Sequence, residues 1–352
     1  MNAGPAASHR SPATPLSRRR ALTVIAAAAG LALPGSAGAS SGRRPALERW
    51  RGRALGAETT ITLYHPEAAV ARRAIAAAVQ EIDRLEGEFS LYRSDSALSR
   101  LNRRGYLERP SLDMVRLLGA AKRLAALSGG AFDVSVQPLW RLYAEHFSKP
   151  GTDPQGPPPA AIEQARRLVD YRAIVNDRRG IRLSRPGMAL TLNGIAQGYI
   201  ADRVAALLAN RGIATLLLDL GEFRAHGRHP EGRPWRVGIR LPEVAQGVLR
   251  SVELGQAAED MWAPTTLATS SGSGTRFDAE GRFHHLFDAA SGHCPSGLAG
   301  ASVVADTAVR ADGLSTALAV MAPDQATDLL RRAGRARAYL VHADGSSTVI
   351  ET

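Results

Sequence analysis

Asp312 and Thr316 stand four residues apart near the carboxyl end, in 301-ASVVADTAVRADGLSTALAVM-321. On a helix that spacing puts a carboxylate and a hydroxyl on one face. Both are hard oxygen donors, the kind Mg²⁺ takes while it keeps waters and substrate phosphates. By themselves they suit equally a carboxylate at a helix amino terminus and a threonine in the core. A second stretch, Leu190 to Val204 (LTLNGIAQGYIADRV), reads as a strand end, a tight Asn193-Gly194 turn and a helix. Asn and Gly both tolerate φ > 0. A strand entering a helix through glycine exposes backbone groups that suit an anion or a phosphate–metal assembly; a plain structural turn would use the same residues. His285, in 283-FHHLFDAASGHCPSG-297, is the best general acid or base by its ordinary pKa. The spacing of His284, His285, Asp288 and His293 fits no strong zinc pattern. Ser270 to Ser273 could form an anion-binding nest or simply end a hairpin.

The elements that must position these groups follow from periodicity. Ala196, Ile200, Val204 and Leu207 share one helical face, with Asp202 opposite. Ser302-Val303-Val304, Thr215 to Leu220 and Trp235 to Leu241 read as strands, as does Arg53 to Tyr64, where Thr59, Ile61 and Leu63 alternate with Thr60 and Thr62. Ala263 to Ser273 reads as a strand running into a Ser/Gly loop, and Ile174-Val175 and Ile181 to Leu183 as two short strands. Pro66 to Leu85, Leu112 to Leu127 and Ala161 to Val169 read as helices. Ser94-Asp95-Ser96 offers a cap for a short helix from Ala97 to Asn102. Lys149 to Ala160, rich in Pro and Gly, reads as a surface loop. No period of 20–50 residues repeats, which excludes solenoids and propellers.

The 352 residues suffice for one large domain or two modest ones, and 45% apolar residues are ample for a core. The formal charge is +11, carried mostly by arginine; Lys122 and Lys149 are the only lysines. No dense basic run with interleaved aromatics is present, so nucleic-acid binding is not expected. The basic balance could attract an anionic substrate or an acidic partner. Cys294 is the single cysteine, which excludes an internal disulfide and a thiolate cluster. Residues 1–39 read as an address: Arg18-Arg19-Arg20, a short apolar run from Ala21 to Leu33, and the small-residue site Ala37-Gly38-Ala39. Ser17 before the arginine pair resembles a twin-arginine export signal. The run falls short of the roughly 20 apolar residues that span a bilayer. The expectation is a soluble mature protein over residues 40–352, in the bacterial periplasm.

Five ordered stretches between Leu55 and Met321 resemble the ApbE family, the FAD:protein FMN transferases. They are Leu55-Gly56-Ala57, 88-EFSLYRSDSALSRLN-102, 130-GAFDVSVQPLWRL-142, the Asn-Gly-Ile-Ala-Gln-Gly turn, and His285 to Asp288 together with Asp312 and Thr316. The resemblance implies an α+β fold of mixed sheets flanked by helices, in two interwoven subdomains with FAD between them. It implies that FAD's pyrophosphate is cleaved, that FMN goes to a Ser or Thr hydroxyl of an acceptor protein, and that AMP leaves. Carried over position by position, Gly194 (through its carbonyl), Asp312 and Thr316 would hold Mg²⁺. Leu55, Tyr92, Ala131, Phe132, Asp133, Thr191, Gln197 and Leu286 would line the FAD site, and His285 would accept the proton or orient phosphate. This sequence departs from the pattern at Leu55 (for Met), at Ala57 (for Thr) and at Glu222, where a second glycine is usual. It departs again at Thr191 (commonly Asp) and Gln197 (commonly Lys or an acid). A neutral pair thus replaces a charged one: either FAD is held through hydroxyl and amide, or transfer is lost and the protein is a periplasmic FAD carrier or maturation factor. The form of the Asn-Gly turn resembles exported accessory members linked to nitrous-oxide reduction, whose acceptor would be a membrane electron-transfer flavoprotein.

Overall fold

Hydrophobic alternation along the strands builds an antiparallel sheet covered on both faces. The computed structural model describes residues 45–177, 179–241, 248–255 and 265–352; the export-type segment over residues 1–39 lies outside them. The strands are β1 (Ala46–Ala54), β2 (Ala57–His65), β3 (Tyr106–Glu108), β4 (Ile174–Asn176), β5 (Gly180–Leu183), β6 (Thr215–Asp219), β7 (Phe223–His226), β8 (Trp235–Ile239), β9 (Arg250–Leu254), β10 (Thr266–Ser270), β11 (Leu298–Ala305), β12 (Arg337–His342) and β13 (Ser347–Glu351). The helices are α1 (Ala68–Phe89), α2 (Ala97–Arg104), α3 (Leu112–Leu127), α4 (Gln137–Phe147), α5 (Pro159–Arg166), α6 (Ala196–Ala209), α7 (Ala308–Val320) and α8 (Ala326–Ala333).

The large sheet has eight strands in the order β1-β2-β6-β7-β10-β11-β12-β13, with a three-stranded sheet β3-β5-β4 and a hairpin β8-β9 beside it. Each ladder pairs antiparallel. The period of two sorts side chains between two cores. Leu216, Leu218, Ala301, Val303, Ala338 and Leu340 face the helices. Their neighbours Leu217, Val304 and Tyr339 face the other way, onto Trp235, Val237 and Val252 of the β8-β9 hairpin. The interweaving that the resemblance implies is visible in the strand order. β2 pairs with β6, and the helices α1 to α6 and the small sheet lie between them in the chain. A third apolar group, Leu139, Tyr143, Ile162 and Phe287, ties α4 and α5 to the loop between β10 and β11.

The strand expected from Arg53 to Tyr64 is in fact a hairpin. β1 and β2 meet at Leu55-Gly56, where φ is +46° and +85°. Two positive φ values make a primed turn that matches strand twist and favours Asn-Gly, so a leucine there is strained by roughly 1–2 kcal/mol. The Leu55 N–H donates to the Glu86 carboxylate of α1, which pins the turn. Ser96 caps α2 as expected, accepting from the Ser99 N–H at 3.0 Å. The third expected helix begins two residues early, at Pro159, where proline's fixed φ suits a first turn. Among the described residues no helix is long and apolar enough to cross a membrane.

Candidate active site

The site is built where α6 and α7 press together. α7 leaves the end of β11, and its first turn is anchored by α6: the Ala308 and Val309 N–H groups each donate to Asp202 at 3.0 Å. The Arg224 Nε lies 3.1 Å from the same carboxylate. Asp202 therefore faces α7 and not open solvent, because orphan N–H groups at a helix start attract a carboxylate. Four residues earlier in α6, Gly198 lets the backbones touch. A Cβ there would stand 2.3 Å from the Ala308 carbonyl oxygen and 2.8 Å from the Asp312 Cβ. The Gly198 N–H donates to Asp312 Oδ2 at 2.9 Å. Asp312 is only 2% exposed. Burial outweighs that hydrogen bond and pushes its carboxyl up to about 7, with the Asp202 charge adding to the rise.

One turn on, the Thr316 hydroxyl lies 3.4 Å from the Gly194 carbonyl oxygen, to which it donates, and 3.1 Å from Ser270 Oγ. Ser270 also meets Ser315 at 2.8 Å. Asn193 and Gly194 do not adopt positive φ, contrary to the reading of the turn. Glycine is needed at 194 because Thr316 approaches it: a Cβ would lie 2.9 Å from Thr316 Oγ1. Nor does Thr191-Leu192 end a strand. The extended run is held instead by the Thr191 N–H to the Val134 carbonyl at 2.8 Å and by Asn102. The Asn102 amide donates to the Leu190 carbonyl at 2.8 Å and accepts the Leu190 N–H at 2.7 Å. Gly194, Asp312 and Thr316 are thus brought together. A carbonyl, a hydroxyl and a buried carboxylate, with no basic side chain paired to that carboxylate among the described residues, form a donor set that fits Mg²⁺.

A cleft of about 690 Å³ opens at the carboxyl end of α7, lined by Ser128, Ala131, Asp133, Arg172, Arg185 and Met321 among others; Gly194, Asp312, Thr316 and His285 do not line it. Met321 follows the last turn of α7, which connects cleft and oxygen donors. Asp133 is buried at its rim, but both oxygens are engaged: Oδ1 accepts from the Ser135 N–H and hydroxyl, and Oδ2 from the Tyr171 N–H. It shapes the cleft wall, and burial raises its carboxyl above the ordinary value. Phe132 and Leu286 are largely core side chains, 3% and 8% exposed, and their N–H groups donate to Ser128 Oγ and His284 Nδ1. Tyr92 is no core residue: it is 53% exposed, beside the Leu55-Gly56 turn, with its hydroxyl 3.5 Å from Asn193 Nδ2. Thr191 accepts from the Asn193 N–H at 3.3 Å. The Gln197 amide donates to the Leu220 carbonyl at 3.2 Å and lies against Gly221, so it braces the end of β6.

His285 sits on the loop that leaves β10 just after Ser270. Its N–H and its Nδ1 both meet the Thr275 carbonyl, at 3.0 and 3.3 Å. Donation from Nδ1–H leaves Nε2 as the proton-accepting nitrogen. Burial and the neighbouring His284 hold the imidazole down to about 4, so it is neutral at physiological pH. His284 is structural, with Nε2 3.0 Å from the Pro295 carbonyl and Nδ1 accepting from the Leu286 N–H. Asn102 and the partner of Asp202 escaped the sequence reading, because each acts on a residue far away in the chain. Ser270 stood in the Ser/Gly loop read as a possible anion nest, and Glu222 was visible as a departure from a usual glycine.

The profile of the ApbE family matches residues 55–340. The FAD:protein FMN transferase of Haemophilus influenzae is 30% identical over 268 residues, 74% of this chain and 76% of the relative. That of Salmonella typhimurium is 28% identical over 310 residues, 86% of each. Among solved structures, the apo flavinyl transferase ApbE of Pseudomonas stutzeri superposes with a TM-score of 0.70 at 29% identity, covering 87% of this chain and 96% of that one. The Vibrio cholerae flavin transferase shares the fold, with a TM-score of 0.72 over 87% of this chain and 97% of that one at 23% identity. With a match reaching from the first hairpin to β12 and relatives aligned over most of their length, the chain belongs to the ApbE family.

Proposed function

We infer that this chain is an FAD:protein FMN transferase that uses Mg²⁺ and acts on a Ser or Thr hydroxyl of an exported or membrane flavoprotein. The observation that carries this reading is the convergence of the Gly194 carbonyl, the Asp312 carboxylate and the Thr316 hydroxyl where α6 meets α7. The relatives named above supply the reaction. In it, the acceptor hydroxyl oxygen forms a bond to the FMN phosphorus. The bond from that phosphorus to the bridging oxygen breaks, and AMP leaves with the oxygen. Mg²⁺ bound by these residues would offset the charge of the diphosphate. The chain's own groups orient and shield. α7 fixes the oxygen donors on one face, Tyr92 offers an exposed ring for the flavin, and Asp133 holds the cleft wall at Tyr171. His285 presents Nε2 to take the hydroxyl proton, and an arriving diphosphate raises its basicity from its low value. The reading includes export: residues 1–39 serve as a cleaved twin-arginine signal, and residues 40–352 form the periplasmic enzyme.

The test is incubation of the purified chain with FAD, Mg²⁺ and an acceptor carrying a Ser or Thr in its flavinylation segment, followed by flavin fluorescence on a denaturing gel. Label that disappears in Asp312→Ala supports the transferase. FAD binding without label at any Mg²⁺ concentration supports the carrier instead, and free FMN and AMP without acceptor would indicate hydrolysis.

A further inference from the structure

Glu222 is a buried carboxylate that the reaction above leaves without a task. It follows Gly221 in the turn between β6 and β7, is 5% exposed, and accepts the Thr269 N–H at 3.2 Å. Its surroundings place it against the cation site from two sides. Thr269 precedes Ser270, whose hydroxyl meets Thr316 at 3.1 Å. Gly221 lies so close to Gln197 that a Cβ there would stand 2.3 Å from Gln197 Nε2, and the next residue, Gly198, holds Asp312. The charge of Asp312 acts directly on Glu222, and Asp219 on the same turn adds to it. Among the described residues no arginine, lysine or histidine forms an ion pair with either Glu222 or Asp312. A buried carboxylate without a basic partner is costly, and a divalent cation is a partner that would offset its charge. The departures at Thr191 and Gln197 point the same way. Both are neutral in this chain, and Glu222, next to the Gly221 that Gln197 packs against, brings a carboxylate to the same neighbourhood.

We propose that Glu222 is a fourth protein donor to the divalent cation, so that this chain binds the ion through two carboxylates. The proposal rests on the reading of Gly194, Asp312 and Thr316 as the cation site. It is tested without FAD or acceptor, by calorimetric titration of Mg²⁺ and Mn²⁺ into the wild-type chain and into Glu222→Gln, Glu222→Asp and Asp312→Asn. Glutamine keeps an acceptor for the Thr269 N–H, so the turn is retained; near-ultraviolet circular dichroism checks it. Glu222→Gln is expected to raise Kd at least tenfold, about 1.4 kcal/mol, and to shrink the Mg²⁺-induced rise in Tm. Glu222→Asp, which keeps the charge, is expected to recover most of the affinity. If Glu222→Gln binds within twofold of wild type while Asp312→Asn loses binding, Glu222 is a structural acid and the proposal fails alone. If Asp312→Asn also binds like wild type, the cation site itself is misplaced and the proposed function falls with it.

Discussion

Replacing Gly198 by alanine would force α6 and α7 apart at the point where they hold Asp312. The new Cβ would meet the Ala308 carbonyl oxygen at 2.3 Å, its carbon at 2.6 Å and the Asp312 Cβ at 2.8 Å. Ordinary contact needs about 3.5 Å, so the helices must open by about 1 Å. None of these neighbours is the free end of a flexible side chain. Overpacking of this kind costs about 1–3 kcal/mol. Weakening the hydrogen bond from the Gly198 N–H to a carboxylate adds about 1–2 kcal/mol, since bonds to charged groups sit at the strong end. Alanine's better helix propensity returns about 1 kcal/mol. The net loss is about 1–4 kcal/mol, read as a lower urea midpoint at unchanged slope. Cation affinity should fall at least tenfold, because Asp312 moves relative to Thr316 and Gly194. Gly87→Ala in α1 is the matched control: a Cβ there meets nothing within 4 Å, so only the propensity gain remains. A Gly198→Ala chain as stable as wild type, with unchanged Mg²⁺ binding, would refute the claim that this contact sets the site.

Three further outcomes follow from the same geometry. Asn102→Ala removes both amide bonds to Leu190 and should cost about 2–3 kcal/mol in urea unfolding. Asn102→Asp, which cannot donate to the Leu190 carbonyl, should not restore it; full recovery by Asp would show that the pairing is incidental. Asp202→Asn weakens the anchor of α7's first two N–H groups and should lower stability by about 1–2 kcal/mol, with a matching loss of cation affinity measured by titration. His285 is held down to about 4, so the unfolded chain takes its proton first as pH falls. Wild-type stability relative to His285→Gln should therefore be full above about 6.5, the ordinary value, and decline as pH drops toward 4. At saturating FAD and Mg²⁺ the acid limb of kcat should lie above about 4, because the bound diphosphate raises the imidazole, and it should vanish in His285→Gln; a limb that is unchanged in His285→Gln would contradict the assignment.

The helical spacing of Asp312 and Thr316, the cap at Ser96 and the apolar faces of α1 and α3 were legible because each is a local pattern. What was not legible depends on partners distant in the chain. Asp202 lies on the rim of its own helix by periodicity, and nothing nearby shows that α7 will start against it. Asn102 reads as the end of a short helix until the Leu190 backbone arrives beside it. The Asn193-Gly194 dipeptide suggested positive φ, yet glycine serves there to admit Thr316. Phe132 and Leu286 are largely core side chains, which a motif carried over residue by residue does not show. The hairpin at Leu55 was hidden because leucine is a poor residue for a primed turn, and the strain is offset only once Glu86 of α1 accepts its N–H.

The interleaved topology explains why the two halves of the site tolerate different amounts of change. The oxygen donors rest on α6, α7 and β10, elements that share one core and touch through backbone at Gly194 and Gly198. A volume change there has nowhere to go, so the glycines and the Asp312–Thr316 spacing are tightly constrained. Leu55, Tyr92 and the cleft wall from Ser128 to Asp133 lie instead on turns, with Tyr92 exposed. Substitutions at the exposed turn of Leu55 and Tyr92 alter few contacts, as Leu55 for Met and Ala57 for Thr illustrate, whereas Phe132 and Asp133 are buried in the wall. Glu222 belongs to the constrained side, because its turn is packed against Gln197 and Thr269. A charge introduced among such neighbours is expensive unless something uses it. A divalent cation would supply that use.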